Sequence, residues 1–361
     1  MKILHVINSL EAGGAEKLLV DIVPFLVNKG NKVDVLLLNG KKASFYEELE
    51  KQKLARIFFL GKSYHNPLYI LKIISYLSKY DIVHVHLFPS MYIVALAKML
   101  SFKNTNLIFT EHSTSNKRLN KIILRPVERF IYSFYKKIIC ITPEVKEQLR
   151  SKLNLDSKKL IVIENGVNIE KIQAATEAKR KEFGYITSDK LLIMVAAFRE
   201  GKDQDTVIKT LKILPDDYKL ILVGDGNRKS KLENLVEVLN LKNRVNFLGF
   251  RSDIYSLYKM SDIAILSSYW EGFGLVAVEA MASGTPMIAS NVSGLNNVVR
   301  GGGILFQTEN TEELKKNILD LIKSPELYNR ISIAGIEKSK NYSLDKTVQK
   351  LLNLYNQINS Q

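Results

Sequence analysis

The chain has 361 residues, 46% hydrophobic and 25% charged, the proportions of a folded globular protein too long for one hydrophobic core. Its single cysteine, Cys140, excludes an internal disulfide and points to a reducing compartment, and no apolar run approaches the ~20 residues of a membrane span. The net charge of +15 is uneven: residues 1–170 carry 26 Lys+Arg against 15 Asp+Glu, and the remainder 26 against 22. The first residues, Met1 to Asn8, are too short and interrupted for a signal peptide, so the expected location is the cytoplasm.

Lys2 to Asn8 reads as a buried strand, followed by Gly13-Gly14-Ala15-Glu16 and a helix from Lys17. This strand, glycine loop and helix lacks the three-glycine dinucleotide spacing, which argues against a nicotinamide or flavin site. Residues 31–38 and 55–60 read as further strands. Pro67 to Lys79 is expected to be an amphipathic helix whose core face carries Leu68, Leu71, Ile74 and Leu77. Asp81 to His86 reads as a strand with His84 and His86 on one side. Neither has an acid or cysteine at metal spacing, so hydrogen bonding is expected there and not zinc. Asn106 to Thr114 ends a strand in a polar cluster, where His112 is the best-placed histidine of this half for chemistry.

Basic residues crowd together at Lys117, Arg118, Lys121, Arg125, Arg129, Lys136 and Lys137. Such a patch suits nucleic acid, an anionic membrane surface or a pyrophosphate-bearing acceptor, or is simply solvated. No nucleic-acid-binding module is recognisable, so nucleic acid is not an expected partner.

Leu160 to Asn168 closes the first series, and a domain boundary is expected near 165–170. Strands at 190–197, 220–226 and 245–250 then repeat the βα pattern, giving two Rossmann-like domains. Arg199 and Lys202 follow a strand end, where cations can meet a diphosphate. Asp203-Gln204-Asp205 has the form of a metal-holding pair, but it opens an apolar-periodic helix, and capping explains it more simply.

The chain then reaches Ile263–Leu266, a buried strand, and Tyr269-Trp270-Glu271-Gly272-Phe273-Gly274-Leu275, opening a small-residue helix stopped by Gly284 and Pro286. A strand, a glycine loop and a helix N-terminus make an anion site. Even on one continuous helix Glu271 and Glu279 would stand about 12 Å apart, too far to share a ligand atom. A phosphate on the loop N–H groups would leave each carboxylate to accept hydroxyls, the layout of a sugar nucleotide. The plainer alternative is one loop acid and one acid complementing the helix dipole.

Together these residues resemble the retaining nucleotide-sugar glycosyltransferases of family 4. The resemblance rests on Glu271 and Glu279 around Gly272-Phe273-Gly274-Leu275, with Gly13-Gly14-Ala15-Glu16, Asp81 to His86, Thr110-Glu111-His112-Ser113, Glu164-Asn165-Gly166-Val167, Val223-Gly224-Asp225-Gly226 and Phe247-Leu248-Gly249-Phe250 in support. It implies the α/β GT-B architecture: two Rossmann-like domains facing a central cleft, residues 1–167 binding acceptor and 168–344 binding donor. A terminal helix of about 345–361 is implied to cross back to the first domain. The resemblance gives Glu279 the ribose, and Glu271 with the amides of Phe273, Gly274 and Leu275 the sugar and phosphates. Gly14, with Gly13, would meet the diphosphate, so that closure of the cleft accompanies catalysis; His112 would meet the sugar, and Gly224, Gly249 and Phe250 the base. Members often carry arginine where this chain has Ala197; Arg199 is the expected substitute because strand alternation would put both on one side.

The implied activity is transfer of a hexose or N-acetylhexosamine from a nucleoside diphosphate sugar, UDP-linked by preference, to a glycan or lipid-linked acceptor of bacterial cell-surface polysaccharide. Neither metal nor other cofactor is expected, and the enzyme would be cytoplasmic with an anionic membrane surface as a further candidate partner. The rivals are a sugar-nucleotide epimerase or phosphorylase on the same plan, and a non-catalytic scaffold of a polysaccharide assembly complex.

Overall fold

A computed structural model describes residues 1–11, 13–113 and 116–360, with Lys117 described by its backbone alone. Ala12, Thr114, Ser115 and Gln361 therefore lie outside the described residues, as do the parts of the readings above that fall on them. The contacts divide the chain into two compact units, Met1–Gly166 with Leu344–Gln361, and Val167–Ser343.

The first unit holds seven parallel strands in the order β3-β2-β1-β4-β5-β6-β7. They are β1 (Lys2–Ile7), β2 (Lys32–Asn39), β3 (Arg56–Gly61), β4 (Ile82–His86), β5 (Asn106–Glu111), β6 (Lys137–Cys140) and β7 (Leu160–Val162). The second holds six, in the order β10-β9-β8-β11-β12-β13. These are β8 (Lys190–Val195), β9 (Tyr218–Val223), β10 (Val245–Gly249), β11 (Ile263–Leu266), β12 (Met287–Ser290) and β13 (Ile304–Phe306).

Strands covered on both faces by helices must be apolar throughout, and the central ones are: β4, β11 and β12 are buried at every position. Each sheet winds outward in both directions from one pair, β1 with β4 and β8 with β11. There the loops at the carboxyl ends part and leave a crevice, the position where open α/β sheets bind ligands. Cys140 at the end of β6 is buried, and burial pushes its thiol up to about 12, which leaves it a small apolar core residue.

The final helix, Leu344–Asn359, belongs to the first unit. It buries Leu344, Val348, Leu351, Leu352, Leu354, Tyr355 and Ile358, and packs on the helix Gly14–Asn28. The two crossings between units run side by side, joined by a bridge between Val167 and Ser343.

The amphipathic segment at 67–79 forms the helix Tyr69–Leu77, with a different face inward from the one expected. Tyr69, Ile73 and Leu77 are buried, whereas Leu68 and Leu71 stand in solvent. The expected set steps by three and shares only Leu77 with the buried stripe, which steps by four: Tyr69 is apolar enough to anchor that stripe, and its hydroxyl accepts the Ser63 N–H at 3.3 Å.

Tyr355 ties the last helix to the first sheet through a 2.6 Å hydrogen bond between its hydroxyl and His84 Nδ1. Tyr355→Phe keeps the packing and strands that nitrogen in the core. The expected cost is about 1–3 kcal/mol of first-unit stability, read as a lower urea midpoint at unchanged m-value.

Candidate functional site

In the second unit the loops after β8 and β11 converge at the switch point. Lys202 Nζ lies 2.5 Å from Glu271 Oε1, with 17% and 10% of the two side chains exposed. Ser268 Oγ donates to the same carboxylate oxygen at 2.8 Å. Ser268 is in turn held by Ser290, whose hydroxyl donates to its carbonyl, and Ser267 Oγ donates to the Asp203 carbonyl at 2.7 Å. The acid is thus fixed to the sheet edge by its neighbours rather than by its own rotamer.

Two glycines let the backbone approach closely enough to do this. A Cβ on Gly201 (φ +95) would sit 2.4 Å from the Trp270 ring, and one on Gly294 (φ +80) 2.3 Å from the Glu271 carbonyl. Phe273 is buried edge-to-face on Tyr342, with centroids 5.3 Å apart, and pins the loop from below. Gly274, in the left-handed region at φ +83, opens the helix Leu275–Ala282. The N–H groups of Leu275 and Val276 occupy the first turn, where intrahelical acceptors do not exist. Glu279 lies on the fifth position of that helix, buried, accepting the Tyr255 hydroxyl at 3.4 Å.

Asp203 caps the helix Gln204–Lys212, accepting the Thr206 hydroxyl at 2.7 Å, and Asp205 pairs with Arg228 at 2.8 Å. These acids serve a cap and an ion pair. Gly224 follows β9 at φ +140, where a Cβ would come 2.1 Å from the Ala196 carbonyl, so the residue brings the loops after β8 and β9 together. Gly249 ends β10 at φ +65 beside open space, and Phe250 is 42% exposed.

In the first unit, Gly13 and Gly14 start the helix Gly14–Asn28 after β1, and Gly14 is exposed at its first turn. Next to them the sheet buries a chain of imidazoles. His5 Nδ1 lies 3.0 Å from His86 Nε2, and His86 Nδ1 lies 3.1 Å from His112 Nε2. Desolvation lowers His5 to about 3 and His112 to about 4, and takes His84 and His86 well below the usual range, with neighbouring imidazoles adding to the last two. All four are neutral at pH 7. Each nitrogen–nitrogen contact between neutral rings needs one N–H and one bare nitrogen, so the tautomers of His5, His86 and His112 are locked together.

The glycosyl transferases group 1 family matches residues 175–338, and glycosyltransferase family 4 matches residues 12–171. A glycosyltransferase of Methanocaldococcus jannaschii is 34% identical over 286 residues, spanning 77% of this chain and 76% of its own length. The chain belongs to the family 4 glycosyltransferases. This glycosyltransferase is also 30% identical over 294 residues, 77% of its length and 75% of the other's, to an Escherichia coli UDP-Gal:alpha-D-GlcNAc-diphosphoundecaprenol alpha-1,3-galactosyltransferase. Its fold matches that of Anabaena HepE in complex with UDP and glucose, with a TM-score of 0.86 at 22% identity over 98% and 99% of the two chains. The architecture is GT-B.

Of the residues singled out from its sequence, Lys202, Glu271 and the 272–275 loop stand together at the second switch point, with Glu279 one turn into the helix. Gly13 and Gly14 follow β1 at the first, and His112 follows β5, one strand beyond β4. Arg199 departs from expectation. β8 ends at Val195, and residues 196–199 turn irregularly, Arg199 N–H donating to the Ala197 carbonyl at 3.0 Å. Strand alternation therefore does not relate Ala197 to Arg199, whose side chain is exposed.

The dismissal of a metal at His84 and His86 also rested on an incomplete set. His5, on the neighbouring strand, brings three imidazoles with ligand atoms within 4.8 Å of one another. Hydrogen bonds nonetheless engage both nitrogens of His84, to Tyr355 and to Thr110 Oγ1 at 2.6 Å, and both of His86. Besides His5, Ser268, Gly201 and Gly294 went unnoticed in the sequence. Strand order alone would have found His5, which stands in register with His84.

The depressed histidines make acid stability a test of their environment. Unfolded imidazoles protonate near 6.5, whereas folded His5 and His112 resist until about 3 and about 4, so their contribution is intact above about pH 6.5 and is lost as pH falls below it. The melting temperature of the protein should fall between pH 6.5 and 4, and less steeply in His5→Gln. Comparing the two proteins cancels acids such as Glu111, whose burial shifts it upward.

Proposed function

We propose that the protein transfers a hexose or N-acetylhexosamine from a UDP-sugar to a hydroxyl of a glycan or lipid-linked acceptor, retaining the anomeric configuration, in the synthesis of a surface polysaccharide. The observation that carries the reading is the buried Lys202–Glu271 pair beside the open first turn at Leu275. A cation, free N–H groups and a fixed carboxylate are what a diphosphate joined to a sugar requires. The similarity to a galactosyltransferase named for a UDP-linked donor and a diphosphoundecaprenol acceptor supports the donor and the lipid carrier.

In this reading the leaving diphosphate develops negative charge as the glycosidic bond breaks. Lys202 and the helix start at Leu275 stabilise that charge. In the free protein Glu271 neutralises Lys202, so the arriving phosphates share the ammonium with a carboxylate that turns to the sugar hydroxyls. Glu279, fixed by Tyr255, takes the ribose hydroxyls, and the loops ending in Gly224, Gly249 and Phe250 receive the base. His112, Gly13 and Gly14 are assigned to the sugar and the diphosphate on the strength of the family resemblance and their place at the carboxyl edge of the first sheet. With Asp203 and Asp205 engaged in a cap and an ion pair, charge stabilisation falls to protein groups, and no metal is required. The leaving phosphate takes the acceptor's proton on the face it vacates.

A screen of radiolabelled UDP- and GDP-sugars, with membrane extract as acceptor source, identifies the donor. The anomeric proton coupling of the product tests retention. Lys202→Ala and Glu279→Ala should lower transfer by about 10²–10³-fold with circular dichroism unchanged, and wild-type turnover in either removes its assignment.

A further inference from the structure

Between β5 and β6 the chain runs through a short turn, Ile122–Leu124, into the helix Arg125–Ser133. Four large apolar side chains there point into solvent: Ile122 is 74% exposed, Ile123 84%, Val127 48% and Phe130 50%. Lys121 and Arg129 stand among them, exposed, and neither has an ion-pair partner among the described residues. The one acid between residues 116 and 138, Glu128, is turned fully inward, where Arg118 pairs with it at 2.7 Å. The outward side of this segment is therefore apolar and cationic, and the segment itself turns no carboxylate outward.

We propose that this turn and helix dock the protein on an anionic lipid surface, Ile122 and Ile123 entering the acyl boundary and Lys121 and Arg129 meeting the headgroup phosphates. Both attractions are needed for stable attachment, since an apolar face or a basic patch alone binds marginally, and here one short segment supplies both. Charge complementarity decides between the candidate occupants. A two-fold contact with a second copy would set Lys121 and Arg129 around the same patch of the same charge, whereas a lipid headgroup layer is negative throughout. No described helix is long and apolar enough to cross a membrane, so attachment here is to one face.

The segment is anchored to the carboxyl edge of the first sheet. Tyr132 donates to Glu111 at 2.6 Å, and Glu111 directly precedes His112. Docking would thus hold the end of β5 near the headgroups, where a lipid-carried acceptor presents its sugar. Lipid binding is measured without donor or acceptor, so its outcome is independent of the proposed transfer.

The test is co-sedimentation of the full chain with vesicles of phosphatidylcholine alone, or mixed with phosphatidylglycerol, at low and high salt. The expected result is binding to the anionic vesicles that weakens with salt. Ile122→Ser/Ile123→Ser and Lys121→Glu/Arg129→Glu should each reduce it by at least about tenfold, while nucleotide-induced melting shifts stay as in wild type. The pair Lys209→Glu/Lys212→Glu, exposed on the second unit, should leave binding unchanged. Wild-type protein remaining in the supernatant, variants of the patch that bind like wild type, or equal loss in the second-unit control would each overturn the proposal. So would light scattering that shows a dimer dissolved by the isoleucine substitutions in a protein indifferent to lipid.

Discussion

The ion pair of Lys202 and Glu271 joins two loops that the sheet itself drives apart. β8 and β11 are neighbours, but their connections leave in opposite directions, and between them the Tyr269 N–H donates to the Gly201 carbonyl at 2.9 Å. A short charge-assisted contact joins the side chains of the same two loops, in a position where water reaches little of either group. Because both groups are largely desolvated, removing one would leave the other uncompensated, so the loops are committed to this arrangement. The serines at the end of β11, the close approach allowed by Gly201 and Gly294, and the seating of Phe273 on Tyr342 all follow from holding that carboxylate still.

The first unit solves the same topological problem with uncharged groups. Its switch point lies over buried imidazoles, and burial keeps them neutral so that they can bond to one another without repulsion. Hydrogen bonds run from His5 on β1 through His86 on β4 to His112 after β5, and a separate set joins His84 to Thr110 and to the last helix. One half of the protein therefore carries an ionic anchor at its ligand edge, and the other a polar, electrically neutral one.

Much of this was legible in the sequence because parallel strands buried on both faces leave continuous apolar runs, and because glycine loops punctuate them. The pairing of β1 with β4, which puts His5 beside His84, was not legible, since strand order is a property of the whole sheet. The helix at 69–77 was legible as a helix, but its inner stripe steps by four from Tyr69, which a count of leucines spaced by three passes over. Arg199 failed for a local reason: β8 stops at Val195, and alternation has no meaning beyond a strand's end. The basic patch was visible as charge, whereas the exposure of Ile122 and Ile123 within it required the fold, because isoleucine in a sequence is presumed to be core.

The side-by-side crossings at Val167 and Ser343 give the chain an order of assembly. The second unit is a single uninterrupted segment and has all its parts once residue 343 has been made. The first unit begins earlier yet lacks a wall until the helix Leu344–Asn359 arrives, and the hydroxyl that satisfies His84 is carried by Tyr355 on that helix. On the ribosome, the half that starts first is the half that finishes last. A cut at the apparent boundary near residue 166 would release one self-sufficient domain and one with an open core.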